Sequence, residues 1–253
     1  MKFDLSKIEM SKSDITRSIV LPKFLNKELA EFMGIMVGDG HLSFSIGKQR
    51  GGTLLIRSDL AIACNKDERD YTKYITNQFF LLFNIKLSYE PDNRSETVLL
   101  RAHSKGIVQF LNKICEIPLN RKTDIAFIPN IIKNADNELK FAFLRGLADT
   151  DFSVIFRYRN GKGHNYPTIK ASFKSKILVR DLEFLFKELD FKCSTYYDII
   201  KYDHRFGPTT INNIYLYGRN NFRMWNENIS FSNKKFLRKV EKWQTDGVCP
   251  PGY

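Results

Sequence analysis

Two segments of the chain, 112 positions apart, carry the same spacing of small residues and end on an aspartate. The first runs Leu29-Ala-Glu-Phe-Met-Gly-Ile-Met-Val-Gly-Asp39-Gly, and the second Phe141-Ala-Phe-Leu-Arg-Gly-Leu-Ala-Asp-Thr-Asp151-Phe. Ala30, Gly34, Gly38 and Asp39 recur as Ala142, Gly146, Thr150 and Asp151. Residues four apart share one face of a helix, so each segment presents a strip almost bare of side chains. Two such strips, with Ala30 and Gly34 facing Ala142 and Gly146, can pack backbone to backbone. That packing would set the two aspartates side by side.

The surroundings of the two segments also repeat. Asn26 is an N-cap candidate for a helix from Lys27 to Val37. After Gly40 the period changes to two, with Leu42, Phe44 and Ile46 alternating against His41, Ser43 and Ser45, and Thr53 to Cys64 returns after a turn at Gln49 to Gly52. A helix over 67–83, a second strand pair broken at Pro91 to Arg94 and a helix over 105–114 complete a unit. The same order follows Asn137: a helix to Asp149, strands over 153–159 and 168–173, a helix over 176–190, strands over 193–200 and 211–217, then helical stretches over 222–229 and 234–243. The chain thus divides into an amino-terminal arm (1–26, polar and irregular), a first half (27–117), a linker (118–136) and a second half (137–253). This is an α+β chain of two αββαββα halves.

Charge narrows the partners. The 253 residues carry a formal +12, spread along the length, which points to a polyanion and by default to nucleic acid. Cys64, Cys115, Cys193 and Cys249 lie far apart, so neither a zinc site nor a disulfide framework is expected. His41, His103, His164 and His204 lack metal-ligand spacing and read as polar or DNA-facing. With no apolar signal core and no run long enough to span a bilayer, an intracellular protein is expected, cytoplasmic or organellar, neither secreted nor membrane-bound.

Each motif helix ends at its aspartate, where unpaired carbonyls already concentrate negative charge. Two such ends brought together call for a cation, and hard divalent ions prefer oxygen ligands. Mg2+ is the expected cofactor, two or three ions near the carboxylates of Asp39 and Asp151, with the carbonyls of Gly38 and Thr150 as further ligands. Metal-assisted phosphodiester cleavage uses such an arrangement.

At this level of detail, Phe32 to Gly40 and Leu144 to Phe152 resemble the two LAGLIDADG motifs of single-chain homing endonucleases, and the repeat covers nearly all of the chain beyond residue 26. The resemblance implies two pseudo-symmetric halves forming a saddle, each with a four-stranded antiparallel sheet in the DNA major groove. Asp39 and Asp151 fall on the essential acidic positions. Val37 stands where the consensus has an earlier aspartate, which Asp149 keeps. Phe152 replaces the final glycine, so the chain must leave that helix without a residue at ease with positive φ.

The family also places polar and basic residues around the scissile phosphates. At the end of the second strand of each half these would be Asn65 and Lys174, with Arg69 a turn later; on the last strand, Arg101, against Tyr215 or Tyr217 with Arg219 beyond. The strand faces suit DNA: Arg157 and Arg159 share one face and Lys170, Ser172 and Lys174 another, with apolar alternates at Val154, Phe156, Tyr158, Ile169, Ala171 and Phe173. His41, Ser43, Ser45, Lys48, Arg50 and Arg57 form a thinner set in the first half.

The expectation is a monomeric, Mg2+-dependent, site-specific double-strand DNA endonuclease with a long asymmetric target, intron-encoded or similarly mobile. The alternatives are a maturase that binds its own intron RNA and a DNA-binding relative that does not cut.

Overall fold

The computed structural model describes residues 2–48, 54–120, 122–159, 161, 163–203 and 207–253. The expected turn at Gln49 to Gly52, with Arg50, lies outside these, as do Asn160, Lys162, His204 and Phe206, and so does the side chain of Lys48.

Helix α2 (Lys27–Gly38) opens on Asn26, whose side chain accepts from the Leu29 amide at 2.9 Å. Strands β1 (Gly40–Lys48) and β2 (Leu54–Asn65), helix α3 (Arg69–Phe83), strands β3 (Ser88–Pro91) and β4 (Thr97–His103) and helix α4 (Lys105–Lys113) follow. The second half repeats this with α6 (Asn137–Asp151), β5 (Phe152–Tyr158), β6 (His164–Phe173), α7 (Lys176–Glu188), β7 (Cys193–Asp203), β8 (Gly207–Tyr217) and α8 (Gly218–Asn228), and adds α9 (Lys234–Asp246). Each half holds one antiparallel four-stranded sheet, ordered β1-β2-β4-β3 and β5-β6-β8-β7. The registers match: Gly40 pairs Ile62 and Ile62 pairs Leu100, as Phe152 pairs Ala171 and Ala171 pairs Ile214. This α+β, two-halved architecture is the one the repeat predicts.

Helices α2 and α6 pack together more extensively than any other two elements. A Cβ on Gly34 would stand 2.1 Å from the Phe143 carbonyl oxygen, and one on Gly146 2.0 Å from that of Glu31. The bare strips are therefore in backbone contact, with Ala30 and Ala142 buried beside them. On either side of this seam, aromatic clusters fill the halves: Phe32, Phe79, Phe83 and Phe110 in the first, Phe152, Phe186, Phe222 and Trp225 in the second. Each such side chain contributes roughly 1.5–3 kcal/mol by leaving water.

Three expectations need correction, and one region, the linker, gains detail. Helix α6 runs on to Asp151, and Phe152 leaves it in extended conformation at φ −91°, so positive φ is not required there. Phe152 is instead buried among aromatic rings, and Gly40 serves space, since a Cβ there would lie 2.5 Å from Met36 Cα. Tyr158 is 63% exposed rather than on the buried face, because a register shift between Arg157 and Tyr158 breaks the alternation and ends the strand before Arg159. Residues of the arm are not irregular: α1 (Lys12–Thr16) is held by a Ser11/Asp14 capping box, and Phe3 and Ile19 are buried. Asp14 is fully buried, accepting from the Gly106 amide at 3.1 Å, a partner far away in sequence. Finally, the linker contains α5 (Asn130–Lys133) and is bound to the second half, with Asp181 accepting from the Ile128 amide and the Lys133 ammonium.

Candidate active site at the helix seam

The carboxyl ends of α2 and α6 meet. Asp39 terminates α2 at φ −90°, and its carbonyl accepts from the Ala63 amide at 3.1 Å, which ties the helix end to β2. Gly38 is what lets Asp151 approach: a Cβ there would lie 2.5 Å from the Asp151 carboxylate and 2.0 Å from Thr150 Oγ1. By surface area Asp39 is exposed, on the wall of a cleft, while protein atoms crowd round its carboxyl at the helix ends. Burial pushes it up to about 7, the Asp151 carboxylate adding to the rise. Burial also lifts Asp151 to about 6, opposed by Lys122 and by the Thr150 hydroxyl, which lies 3.3 Å away.

Lys122, on the linker, is the residue that the sequence reading missed. Its ammonium donates to the carbonyls of Met36, Val37 and Gly38 at 2.5, 2.7 and 2.5 Å, closing the end of α2. Burial pulls it down to about 8, against the pull of Asp151 and Asp39. Neither α2 nor α6 has a basic residue in its last turn, so the negative end of the pair had to be met from elsewhere in the chain. That deficit was the available signal. The Gly38 carbonyl, expected as a metal ligand, thus accepts from an ammonium.

Asp149 does different work. It is 1% exposed, and its carboxylate accepts from the amides of Ser232 at 2.9 Å and Asn233 at 3.1 Å, anchoring the start of α9. Further along the seam, buried Glu31 accepts from Tyr74 Oη at 2.7 Å and Ser232 Oγ at 2.8 Å and faces Arg145 of α6 at 3.4 Å. These contacts fasten the carboxy-terminal segment across both halves.

Beside Asp39 a cleft of about 300 Å³ is lined by Asn65, Glu68, Thr150 and Lys235. Asn65 and Lys174 hold equivalent places, each three residues past a matched pair at the sheet's inner edge. Arg69 opens α3. Arg101 lies on the exposed face opposite Ala61, forms an ion pair with Glu90 at 2.9 Å and does not line the Asp39 cleft; its register partner in the second half is Tyr215.

The remaining candidates lie along the sheets. His41, Ser43 and Ser45 pair with Ala61, Asp59 and Arg57 on one face. Asp59 was not anticipated there, and its carboxylate lies in hydrogen-bonding contact with His103 Nδ1. On the second sheet Arg157 rests 4.9 Å from the ring of Tyr217, which stacks on Tyr215, and Arg159 lies 4.4 Å from that of Tyr166. Lys170 pairs across to Tyr215, and Ser172 donates to Asn213 at 2.6 Å. All four cysteines are free, and His164 contacts the Phe156 carbonyl.

No protein-family model matches the sequence, and no curated protein does. Solved structures do match the fold. I-DmoI in complex with DNA and Mn superposes with a TM-score of 0.54 at 17% identity, over 82% of this chain and 98% of its own. The I-LtrWI LAGLIDADG homing endonuclease bound to target DNA gives 0.53 at 11%, over 88% and 90%. A variant of I-SmaMI gives 0.55 at 13%, with the same coverage. Two sheets of matched topology joined through a seam of two acid-terminated helices therefore form, in this chain, the two-halved fold of the LAGLIDADG homing endonucleases.

Proposed function

We propose that the chain is a site-specific, Mg2+-dependent double-strand DNA endonuclease, acting as a monomer with one cleavage centre at the seam. One observation carries this reading: two carboxylates and a half-buried lysine meet where the two motif helices end.

Asp39 and Asp151 would hold the divalent cation. Both carboxyls are lifted by burial, and a cation relieves that cost, so the donor set suits a hard metal. Among the described residues no three His, Cys, Asp or Glu side chains surround one metal position. Backbone carbonyls, water and the substrate phosphate would supply the remaining oxygens. When bound, the ion contributes Lewis-acid activation of water and stabilisation of the leaving oxygen.

The chain's own residues supply the rest. All three donors of Lys122 are taken by carbonyls, so it acts through its charge, offsetting the carboxylates and the charge that develops on the phosphate. Asn65 in the cleft, with Lys174 at the equivalent place, can position water or a phosphate oxygen. The sheet faces bind phosphates for affinity and base edges for sequence, Arg to guanine being the commonest direct contact. Their divergence implies an asymmetric target.

The test is to incubate the protein and Mg2+ with a DNA library spanning candidate insertion sites and to sequence the ends. Cuts at one long site are expected. No cut anywhere, together with tight binding to a structured intron RNA, would replace this reading with that of a maturase. Sequence-selective DNA binding without cutting would leave only the non-cleaving relative.

A further inference from the structure

The outer ends of the two sheets are equivalent in register and opposite in chemistry. His103 closes β4 where Tyr217 closes β8, and a helix starts just beyond each. In the first half that helix N-terminus is satisfied internally. Ser104 caps α4 by accepting from the Ile107 amide at 3.1 Å, and the arm's Asp14 carboxylate accepts from the Gly106 amide. Of the arginines and lysines lining the cleft there, Arg17 is paired by Asp14 at 3.2 Å, Arg101 by Glu90 and Lys105 by Glu9, which leaves Arg57 without an ion-pair partner among the described residues.

The second half has none of this. Helix α8 spans 11 residues and starts without a side-chain cap, after a chain reversal at Gly218 with φ +89°. A cleft of about 660 Å³ opens there, lined by Arg159, Lys192 and Arg219 together with Tyr166, Tyr217 and Asn220. Among the described residues no carboxylate lines it, and none of the three cations has an ion-pair partner. Arg159 is steadied over Tyr166, and Arg219 lies 5.8 Å from the Trp243 ring.

We propose that this cleft is a phosphodiester subsite that grips the nucleic-acid backbone at the outer end of the second sheet, an inference resting on the DNA-binding reading above. The three cations are exposed along one cleft and unpaired, so a phosphate there meets positive charge and no competing carboxylate. Guanidinium groups and free helix amides both match phosphate oxygens. The first half shows the same position filled by a carboxylate of its own chain, which excludes an external anion there. The clamp is therefore lopsided: open helix amides and three unpaired cations in the second half stand against filled amides and Arg57 alone in the first.

The test compares wild type with the triple variant Arg159→Ala/Lys192→Ala/Arg219→Ala. A control triple, Lys23→Ala/Lys73→Ala/Lys86→Ala, removes the same charge from exposed positions away from both clefts. Binding to a duplex of about 40 base pairs is followed across salt concentrations, each phosphate contact adding roughly 0.9 to the slope of log affinity against log salt. The clamp variant should lose about 2–3 from that slope and lose phosphate-ethylation interference at one end of the footprint only, while the control keeps both. Duplex binding with slope and footprint unchanged from the control overturns the clamp alone. Failure of the wild type to bind any duplex overturns the endonuclease reading and the clamp with it.

Discussion

The two sheets are copies in backbone and strangers in surface. Their strand orders and registers coincide residue for residue at the inner edge. Yet where the first sheet sets Asp59 against His103 and Arg101 against Glu90, the second sets Thr168 against Tyr217 and carries Arg157 over a Tyr215–Tyr217 stack. The seam tolerates almost no change, because its backbones touch. An exposed strand position can change its side chain without moving the backbone. Symmetry is thus kept where packing enforces it and lost on the exposed strand faces.

The seam should break this comparison most severely. Asp39→Asn and Asp151→Asn are each expected to lower Mg2+-dependent cleavage by about 10²–10³-fold or more while leaving duplex affinity largely intact, as scored on a cleavable target. Full cutting by either variant would refute the shared metal site. Gly34→Val and Gly146→Val drive a side chain into the opposing backbone and should each cost at least about 1–3 kcal/mol in urea unfolding. Equal losses would show that the halves contribute equally to the seam.

A pH effect comes next. The carboxyls of Asp39 and Asp151 are raised above their ordinary 3.8, to about 7 and about 6, so the folded chain holds protons that the unfolded chain releases. Stability of the metal-free protein should therefore fall as pH rises from about 4 to 7, and the double Asn variant should flatten that fall. Lys122 has the opposite sign: lowered from 10.5 to about 8, it costs stability below that range and returns it as pH rises through it. Mg2+ should raise the melting temperature at pH 8 and scarcely at pH 5, which calorimetry would show. The smallest effect concerns readout. Arg157→Ala should weaken duplex binding by about 1–3 kcal/mol at positions read by the second sheet, and Arg101→Ala by less, because Glu90 already neutralises it. The reverse order would show that the aromatic stack is structural.

Asp39 and Asp151 were legible because a repeat is a pattern within one string. So were the strands, whose alternation follows from one buried face, except at their far ends, where Ile46 and Tyr158 are exposed. Lys122 was not, since nothing periodic marks it and its meaning arises only when the linker passes under α2. Nothing in the polar arm singled out Asp14, which is buried on an amide far along the chain. Asp59 and Glu90 carry no mark of their partners in the sequence, because His103 and Arg101 reach them only across the strands of the folded sheet.

The two-halved fold, the helix seam and the paired acids are written in the order of residues, because small-residue spacing and hydrophobic period are local properties. Which cation answers those acids, which cationic side chains are already paired and which helix end stays open emerge on folding. Those are electrostatic facts. They depend on distances between groups that the chain holds far apart and that folding alone brings together.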